Sequence, residues 1–299
     1  MTNIDIDNKE TIPVLANAGI KLPIDIGIVG RFDAKLLEYK FKRVMIPTDY
    51  GLMDRAFYGK VNGRSILAIY GRFDKNRTIS EDIDFEKTQA AFNAVGVKTI
   101  IGTFVTGGIQ KKYNIGSVFV VSDLVGMGGY RQSLYKKTGF KNVDMYKPFC
   151  DEVRGALIKG AKECDFEVNT SGIYVCFHGY PRIETKAELD YYEKMGWDVV
   201  GQTLDPEATL ARESGCCYAA VAVTIDDPKT RGEFLSGNEK ARKKTQNAIP
   251  EGRLKTTEIV FNAIKYIPPL KERKCVCGHR FHNEKSHFRY LPDYILDSE

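Results

Sequence analysis

Two adjacent carboxylates, Asp226 and Asp227, directly follow a continuous apolar run over residues 217–225. A run without polar alternation is typical of a strand that is buried on both faces of a parallel sheet. Because ligands of open α/β sheets bind at the carboxyl ends of such strands, we predict a ligand site here. A buried carboxyl in this place would have a raised pKa and could donate a proton. Taken alone, Asp226 is better explained as a helix cap or as one partner of a loop salt bridge.

A second group of reactive side chains lies near the C-terminus of the chain. It consists of Cys275, Cys277, His279 and His282, four side chains within eight residues. Thiolates and imidazoles are ligands that zinc prefers, so this tail could bind the metal. The spacing differs from that of zinc fingers and ribbons, whose paired cysteines have two to four residues between them, whereas Cys275 and Cys277 have a single one. We therefore favour an ordered polar tail in which these residues are incidental, and we expect no cofactor.

The segment before the two carboxylates contains the elements that would position them. Thr185 and Glu188 have the spacing of a capping box, which predicts a helix that begins at Lys186. Gly196 is placed to end that helix. The apolar, β-branched run over residues 198–204 then predicts a short strand.

A second helix is predicted directly after this strand. Asp205 supplies a carboxylate for the N-cap, Pro206 suits the first helical position, and Glu207 places an acid in the first turn. Gly215 is placed to end the helix before the buried run that leads to Asp226.

The rest of the chain continues the same alternation of strand and helix. We predict strands over residues 24–30, 65–70, 98–108, 117–125 and 172–177, and helices over residues 84–95, 151–162 and 238–264. This order predicts the α/β class: a single domain with a mostly parallel mixed central sheet flanked by helices. The domain is expected over residues 24–267, between an N-terminal extension (1–23) and the Cys/His-containing tail (268–299).

Composition excludes several classes of protein. The chain is 43% hydrophobic and 28% charged, which is ordinary for a soluble globular protein. A net charge of +5 is too mild to indicate nucleic acid, and no apolar run approaches the roughly 20 residues of a membrane span. Seven cysteines, mostly in apolar strands, indicate reduced core residues, and no secretory signal is visible. We expect a cytoplasmic protein.

Three segments carry a resemblance to a known family. They are residues 181–185 (PRIET), residues 196–207 (GWDVVGQTLDPE) and residues 211–215 (ARESG). Together they resemble the purine nucleoside phosphorylase and methylthioadenosine phosphorylase family of the trimeric type, and the resemblance extends over residues 24–267. It implies a nucleoside phosphorylase-like fold, a homotrimer, and a small-molecule purine nucleoside as substrate.

The resemblance also implies which residues contact the substrate. Asp226 aligns with a family Asp that faces the purine ring, and Glu184 with a base-recognition position of the 6-oxopurine branch. Ile183 replaces an aromatic residue that stacks on the base, and Gln202 replaces a Met that packs on the sugar. Thr203 keeps a hydroxyl that contacts phosphate.

The phosphate-binding motifs of the family are altered in this chain. Arg72 is kept, whereas Asp74 stands in place of a His and is the second candidate catalytic residue. Phe32 replaces a small turn residue, and Phe104 and Val105 replace a Thr and an Ala that contact phosphate. A dianion needs several preorganised donors, so we predict weak or no use of phosphate.

Two classes of function follow from these substitutions. The first is an enzyme that cleaves the N-glycosidic bond of a methylthioadenosine-like purine nucleoside, as a pentosyltransferase or as a hydrolytic nucleosidase. The second is a member of the family that binds a nucleoside without catalysis or runs a different reaction. An Asp beside the anomeric carbon could orient water, which would favour hydrolysis over phosphorolysis.

Overall fold

The computed structural model describes residues 20–71, 83–128, 132–134, 142–178 and 182–277, and every structural statement below concerns these ranges. They form nine strands: β1 (Ile26–Gly30), β2 (Lys42–Thr48), β3 (Gly51–Val61), β4 (Arg64–Tyr70), β5 (Thr99–Gly108), β6 (Val118–Met127), β7 (Val168–Phe177), β8 (Val199–Gly201) and β9 (Cys217–Asp226). Seven α-helices accompany them: α1 (Asp33–Glu38), α2 (Phe85–Ala94), α3 (Asp151–Glu163), α4 (Lys186–Lys194), α5 (Glu207–Glu213), α6 (Pro228–Leu235) and α7 (Glu239–Ala263).

The described strands form one mixed sheet in the order β2-β3-β4-β1-β5-β8-β7-β6-β9. Strand β5 also pairs with β9, so the last five strands of this order close on themselves like a barrel. Five of the pairings are parallel and four are antiparallel. The predicted fold class is confirmed: a single α/β domain with a mixed sheet between helices.

The two strands at the centre of this arrangement, β5 and β9, are buried almost throughout. The first eight residues of β9 are all buried, in agreement with the continuous apolar run of the sequence. Helices α2 and α5 contribute to the core on one face of the sheet, and α1, α3 and α7 to the core on the other face. With both faces covered, ligand access remains at the strand ends.

Local capping signals position the helices that follow the strands. Thr185 accepts a hydrogen bond from the Glu188 backbone N–H and Glu188 accepts one from the Thr185 N–H, which confirms the predicted capping box of α4. Asn238 caps α7 by accepting bonds from two backbone N–H groups. The second predicted cap is wrong: Pro206 is the N-cap of α5, and Asp205 instead accepts a bond from the Thr209 hydroxyl.

Several elements differ from the sequence-based prediction. The strand predicted over residues 198–204 shortens to β8, because Gln202 and Thr203 turn out of the sheet. Strands β2 and β3 were not predicted, and they form an antiparallel hairpin at the sheet edge, with Thr48 opposite Gly51. The sequence of β2 mixes polar and apolar residues, because burial alternates along the strand and only some of its side chains enter the core. It therefore lacks the longer apolar run that marked the predicted strands.

The tail remains close to the domain as far as Cys277. After α7, the chain passes a turn at Leu270–Glu272 and brings the Cys277 side chain to a buried position beside α3 and β9. His279 and His282, two of the predicted metal ligands, lie outside the described residues. None of the described helices combines the length and apolar composition that a membrane crossing requires.

Candidate active site

A cavity of about 410 Å³ opens at the carboxyl ends of β1, β4, β5, β8 and β9. It brings together most of the predicted site residues, which line its wall: Phe104, Val105, Ile183, Glu184, Gln202, Thr203 and Asp226. A larger cavity of about 800 Å³ lies beside β2 and β3 and contains none of them. Residues from four distant parts of the chain therefore meet at one place, as ligand sites of α/β sheets do.

An ion pair marks one end of this cavity, which we call the carboxylate end. The Arg231 guanidinium donates from Nη2 to Asp226 Oδ1 at 2.5 Å and to the Gly108 carbonyl oxygen at 3.1 Å. Gly107 makes room for this pair, because a Cβ there would lie 2.6 Å from Arg231 Nη2 and 3.1 Å from Asp226 Oδ1. Asp226 thus makes a salt bridge, as one of the two sequence interpretations held, and also faces the cavity.

Helix α6 explains why Arg231 reaches this carboxylate. Asp227 accepts a hydrogen bond from the Thr230 backbone N–H at 2.7 Å, and Pro228 occupies the first turn of the helix. The first helical hydrogen bond, from Arg231 N–H to the Asp227 carbonyl, places Arg231 one turn along, above Asp226. The two adjacent carboxylates therefore have different roles, one in a cap and one in the cavity.

Burial changes the ionisation of both acids at the carboxylate end. Desolvation raises the pKa of Asp226, although the charge and hydrogen bond of Arg231 act against it. Desolvation likewise raises the pKa of Glu184. Carboxyls that hold protons at higher pH than usual can donate hydrogen bonds or protons to a ligand.

The other end of the cavity carries cations and hydroxyls, and we call it the cationic end. Arg31 follows β1 and lies over the Tyr70 ring, with its guanidinium carbon 5.7 Å from the ring centroid. The Thr257 hydroxyl on α7 donates to the Arg31 carbonyl at 3.2 Å, which places Arg253, one turn earlier on α7, on this side. Thr103 lines the same end from β5. Two arginines beside a hydroxyl form a combination that suits an anion.

Gly252 allows α7 to bring Arg253 into the cavity. A Cβ at this glycine would lie 3.2 Å from a Val223 methyl group of β9 and 3.5 Å from a Val105 methyl group of β5. The helix therefore packs directly on the two central strands at this point. The next residue, Arg253, is among those that line the cavity.

The two phenylalanines of the predicted phosphate site do not fill it. Phe104 is only 4% exposed, because its ring packs edge-on against Tyr174 with 5.6 Å between ring centroids. Phe32 lies in the core, where it packs against Phe261 of α7, and it is not among the lining residues. Phe104 forms part of the wall and Phe32 lies behind it, so neither ring occupies the cavity, which remains open to a polar ligand.

The remaining predicted residues differ in how exposed their side chains are. Gln202 and Thr203 are half-buried and follow β8 into the cavity, whereas the Ile183 side chain is 58% exposed at its rim. Arg72 and Asp74 lie outside the described residues.

Sequence reasoning missed Arg231 and Arg253 at this site. Arg231 follows a recognisable helix start, Asp227-Pro228, and that signal could have placed it one turn above the strand end. Arg253 carries no such signal, because it is one of many basic residues along α7 and only the packing at Gly252 selects it.

The fold and this cavity define an α/β protein with a ligand site of two ends. Carboxyls with raised pKa lie at one end, and arginines line the other. The sequence profile described as "Phosphorylase superfamily" matches residues 82–251. The chain belongs to this family, as the resemblance of the three segments predicted.

Named relatives extend over most of the chain. It is 28% identical over 267 residues to the probable S-methyl-5'-thioinosine phosphorylase of Thermodesulfovibrio yellowstonii, covering 88% of this chain and 98% of the relative. It is 31% identical over 261 residues to the S-methyl-5'-thioadenosine phosphorylase of Nitrosopumilus maritimus, covering 85% and 95%.

Solved structures agree on the fold. The methylthioadenosine phosphorylase from an antarctic soil metagenomic library superposes with a TM-score of 0.74 at 22% identity, covering 91% of this chain and 100% of that one. At this level of identity the likeness concerns the fold alone.

Proposed function

We propose that this protein cleaves the N-glycosidic bond of a purine nucleoside with inorganic phosphate, and releases the free base and a sugar 1-phosphate. The observation that carries this proposal is the polarity of one cavity, with Asp226 and Glu184 at its carboxylate end and Arg31 and Arg253 at its cationic end. The relatives from Thermodesulfovibrio yellowstonii and Nitrosopumilus maritimus, a probable methylthioinosine phosphorylase and a methylthioadenosine phosphorylase, support the same chemistry.

The carboxylate end suits the departing base. Negative charge develops on the purine as its bond to the sugar breaks, so a proton or hydrogen-bond donor there stabilises the transition state more than the substrate. Asp226 serves as this donor in our proposal, because burial raises its pKa and Arg231 holds it in place. Glu184 lies across from it and contacts the edge of the base.

The cationic end suits the nucleophile. A phosphate dianion leaves water only where cations and hydrogen-bond donors replace its hydration. Arg31, Arg253 and the hydroxyls of Thr103 and Thr203 offer such donors within the described residues. They substitute for the family contacts that the sequence lacks, so we no longer expect weak phosphate use. In the reaction a phosphate oxygen bonds to the anomeric carbon, and the bonding electrons of the C–N bond leave with the base.

Phosphate dependence is the direct test of this function. The full chain is incubated with methylthioadenosine, methylthioinosine, adenosine and inosine, with and without phosphate, while base and sugar products are followed. We expect a rate of base release that rises saturably with phosphate, with sugar 1-phosphate as product. Release of free sugar at a rate independent of phosphate, or no release from any of the four nucleosides, would contradict the proposal.

The resemblance to the trimeric type leads us to propose a homotrimer, and the free, mostly buried cysteines lead us to propose a cytoplasmic location. Sedimentation equilibrium at micromolar concentration tests the assembly, for which we expect the mass of three chains. A clean monomer under these conditions would refute it.

A further inference from the structure

Four cysteines converge at the end of the sheet opposite the candidate active site. This four-cysteine cluster consists of Cys150, Cys217, Cys275 and Cys277, and its four Sγ atoms all lie within 4.8 Å of one another. Three of the cysteines are buried and Cys275 is half-buried. None of the four forms a disulfide, and the Sγ atoms of Cys217 and Cys275 are 3.4 Å apart.

Three separate elements hold the cluster in place. Cys150 is the N-cap of α3, and its backbone N–H donates to the Tyr218 carbonyl at 2.8 Å, which fixes it beside the start of β9. Cys217 is the first residue of β9, and its N–H donates to the Lys98 carbonyl at 2.9 Å. Two of the four sulfurs are thus positioned by the folded core.

The tail contributes the other two sulfurs. The Glu152 side chain on α3 accepts a hydrogen bond from the Lys274 backbone N–H at 2.8 Å, and so attaches the tail directly before Cys275. Val276 points outward and is 57% exposed, while the cysteines on both sides of it turn inward. The Cys-x-Cys spacing is therefore compatible with convergence, because alternate side chains of this segment face the core.

We propose that the four-cysteine cluster binds a single zinc ion. Zinc in structural sites takes four ligands in tetrahedral geometry with Zn–S bonds of about 2.3 Å, which puts the sulfurs about 3.8 Å apart. The upper limit of 4.8 Å and the Cys217–Cys275 separation of 3.4 Å lie on either side of that value. Sulfurs this close surround one ion and leave no space for an iron–sulfur cluster. Binding releases the thiol protons to solvent.

The surroundings of the cluster supply charge of the required sign. Zinc with four thiolates carries two negative charges. The Nη1 and Nη2 atoms of Arg273 are buried, have no hydrogen-bond partner among the described residues, and belong to a cation that acts electrostatically on Cys217. A buried guanidinium needs an anionic partner. A zinc–tetrathiolate centre provides one, whereas two neutral disulfides would not.

The zinc ion would join three regions that are distant in sequence. It ties the segment after α7 to the first residue of β9 and to the N-terminus of α3. Strand β9 carries Asp226 at its far end, so the metal stabilises the strand on which the candidate active site is built. This differs from the sequence-based ligand set, since Cys150 and Cys217 stand where His279 and His282 were considered.

Metal analysis of the full chain tests this inference. The protein is purified in reductant without chelator, and zinc is measured by atomic emission. We expect one zinc per chain, and, after exchange, a cobalt form with thiolate charge-transfer bands and the visible bands of tetrahedral cobalt. Cys275→Ser and Cys277→Ser should abolish both signals. The matched control, Cys164→Ser, removes a half-buried thiol outside the cluster and should retain them.

Other outcomes would overturn the inference. A chain that is metal-free in reductant and that, when purified without reductant, is lighter by the hydrogens that two disulfides remove would identify a disulfide cluster instead. Four free thiols that take up neither zinc nor cobalt, or a chain with iron and inorganic sulfide, would also refute it. The wild-type cobalt spectrum decides even if the serine variants fail to fold.

A second variant tests the charge argument. Arg273→Gln should weaken zinc binding about tenfold in competition with a chromogenic chelator, because groups around a metal site typically contribute that much to affinity. Lys274→Gln, one residue along and exposed, is the control and should bind as the wild type does. Equal affinity of all three proteins would contradict a role for Arg273.

Discussion

The two ends of β9 differ in what their side chains do for the protein. This ten-residue strand is about 30 Å long and begins at Cys217, in the four-cysteine cluster, and ends at Asp226, in the candidate active site. At the active-site end, burial raises the pKa of carboxyls, which means that their charged forms are disfavoured. At the cysteine end, the proposed metal would join three elements and add stability. The comparison indicates that the active site, whose buried carboxyls reduce stability, is built on a strand that the proposed metal would stabilise at its other end.

The largest effect is expected at Asp226. Asp226→Asn should lower kcat/KM for methylthioadenosine roughly 30- to 150-fold, because a hydrogen bond donated to a base that becomes negatively charged is worth about 2 to 3 kcal/mol. Preference should shift toward 6-oxopurines, since the amide no longer provides the acid.

The neighbouring carboxylate is the matched control for this variant. Asp227→Asn should leave kcat/KM within about twofold, because Asn caps a helix as well as Asp does. Steady-state rates on methylthioadenosine and methylthioinosine decide the matter. Similar losses in both variants, or unchanged rates in Asp226→Asn, would contradict the assignment.

The next effect concerns the cationic end. Arg253→Gln should raise the KM for phosphate about tenfold or more, because a charged hydrogen bond to a dianion contributes roughly 1.5 to 3 kcal/mol. The KM for the nucleoside should change little. Arg242→Gln removes a cation from the same helix that lies over Phe234 and does not line the cavity, so it should have no effect. Phosphate saturation curves measure the difference. Identical curves for the two variants would indicate that phosphate does not bind at Arg253.

The third effect separates the two ends of β9. Cys275→Ser should lower the midpoint of thermal unfolding by at least about 5 °C, because it removes one ligand of the proposed zinc ion. At 25 °C its kcat/KM should remain within about twofold of the wild type, because the residue lies far from the cavity. Calorimetry and a steady-state assay on one preparation measure both. Lost activity in a folded variant would couple the two ends more closely than we expect.

The smallest effect is a pH dependence at the carboxylate end. Burial raises the pKa of Glu184, so the folded state keeps a proton that the unfolded chain releases near pH 4.5. This residue's contribution to stability therefore falls as pH rises from about 4.5 through the folded pKa. Glu184→Gln should increase the free energy of unfolding at pH 7 by less than about 1 kcal/mol. Below about pH 4, where Glu184 is protonated in both states, the substitution should produce no such increase.

Glu188, four residues along, provides a control of opposite sign. Its hydrogen bonds with Arg182 and the Thr185 backbone lower its pKa to about 2. Its contribution is present above pH 4.5 and is lost as pH falls toward 2. Glu188→Gln should therefore decrease stability at pH 7. Urea unfolding at several pH values compares the two variants, and the same sign for both would refute this account.

Much of the fold follows from signals that lie within a few residues of each other. The capping box at Thr185 and Glu188 predicted α4, and the unbroken apolar run predicted β9 with Asp226 at its end. These predictions succeeded because a cap or a buried strand is recognised from its own residue types. The family resemblance, carried by segments around the same elements, was likewise visible from the sequence.

Tertiary structure alone decided which distant residues meet. Arg253 enters the cavity only because α7 packs on β5 and β9 at Gly252. Cys275 approaches Cys217 across 58 residues, and Cys150 joins them because α3 begins beside the first residues of β9. The spacing of residues along the chain does not predict such contacts, because they depend on strand order and on helix packing. The sequence by itself determined most of the elements and the chemical types available, and the packing of the closed sheet decided which of them meet.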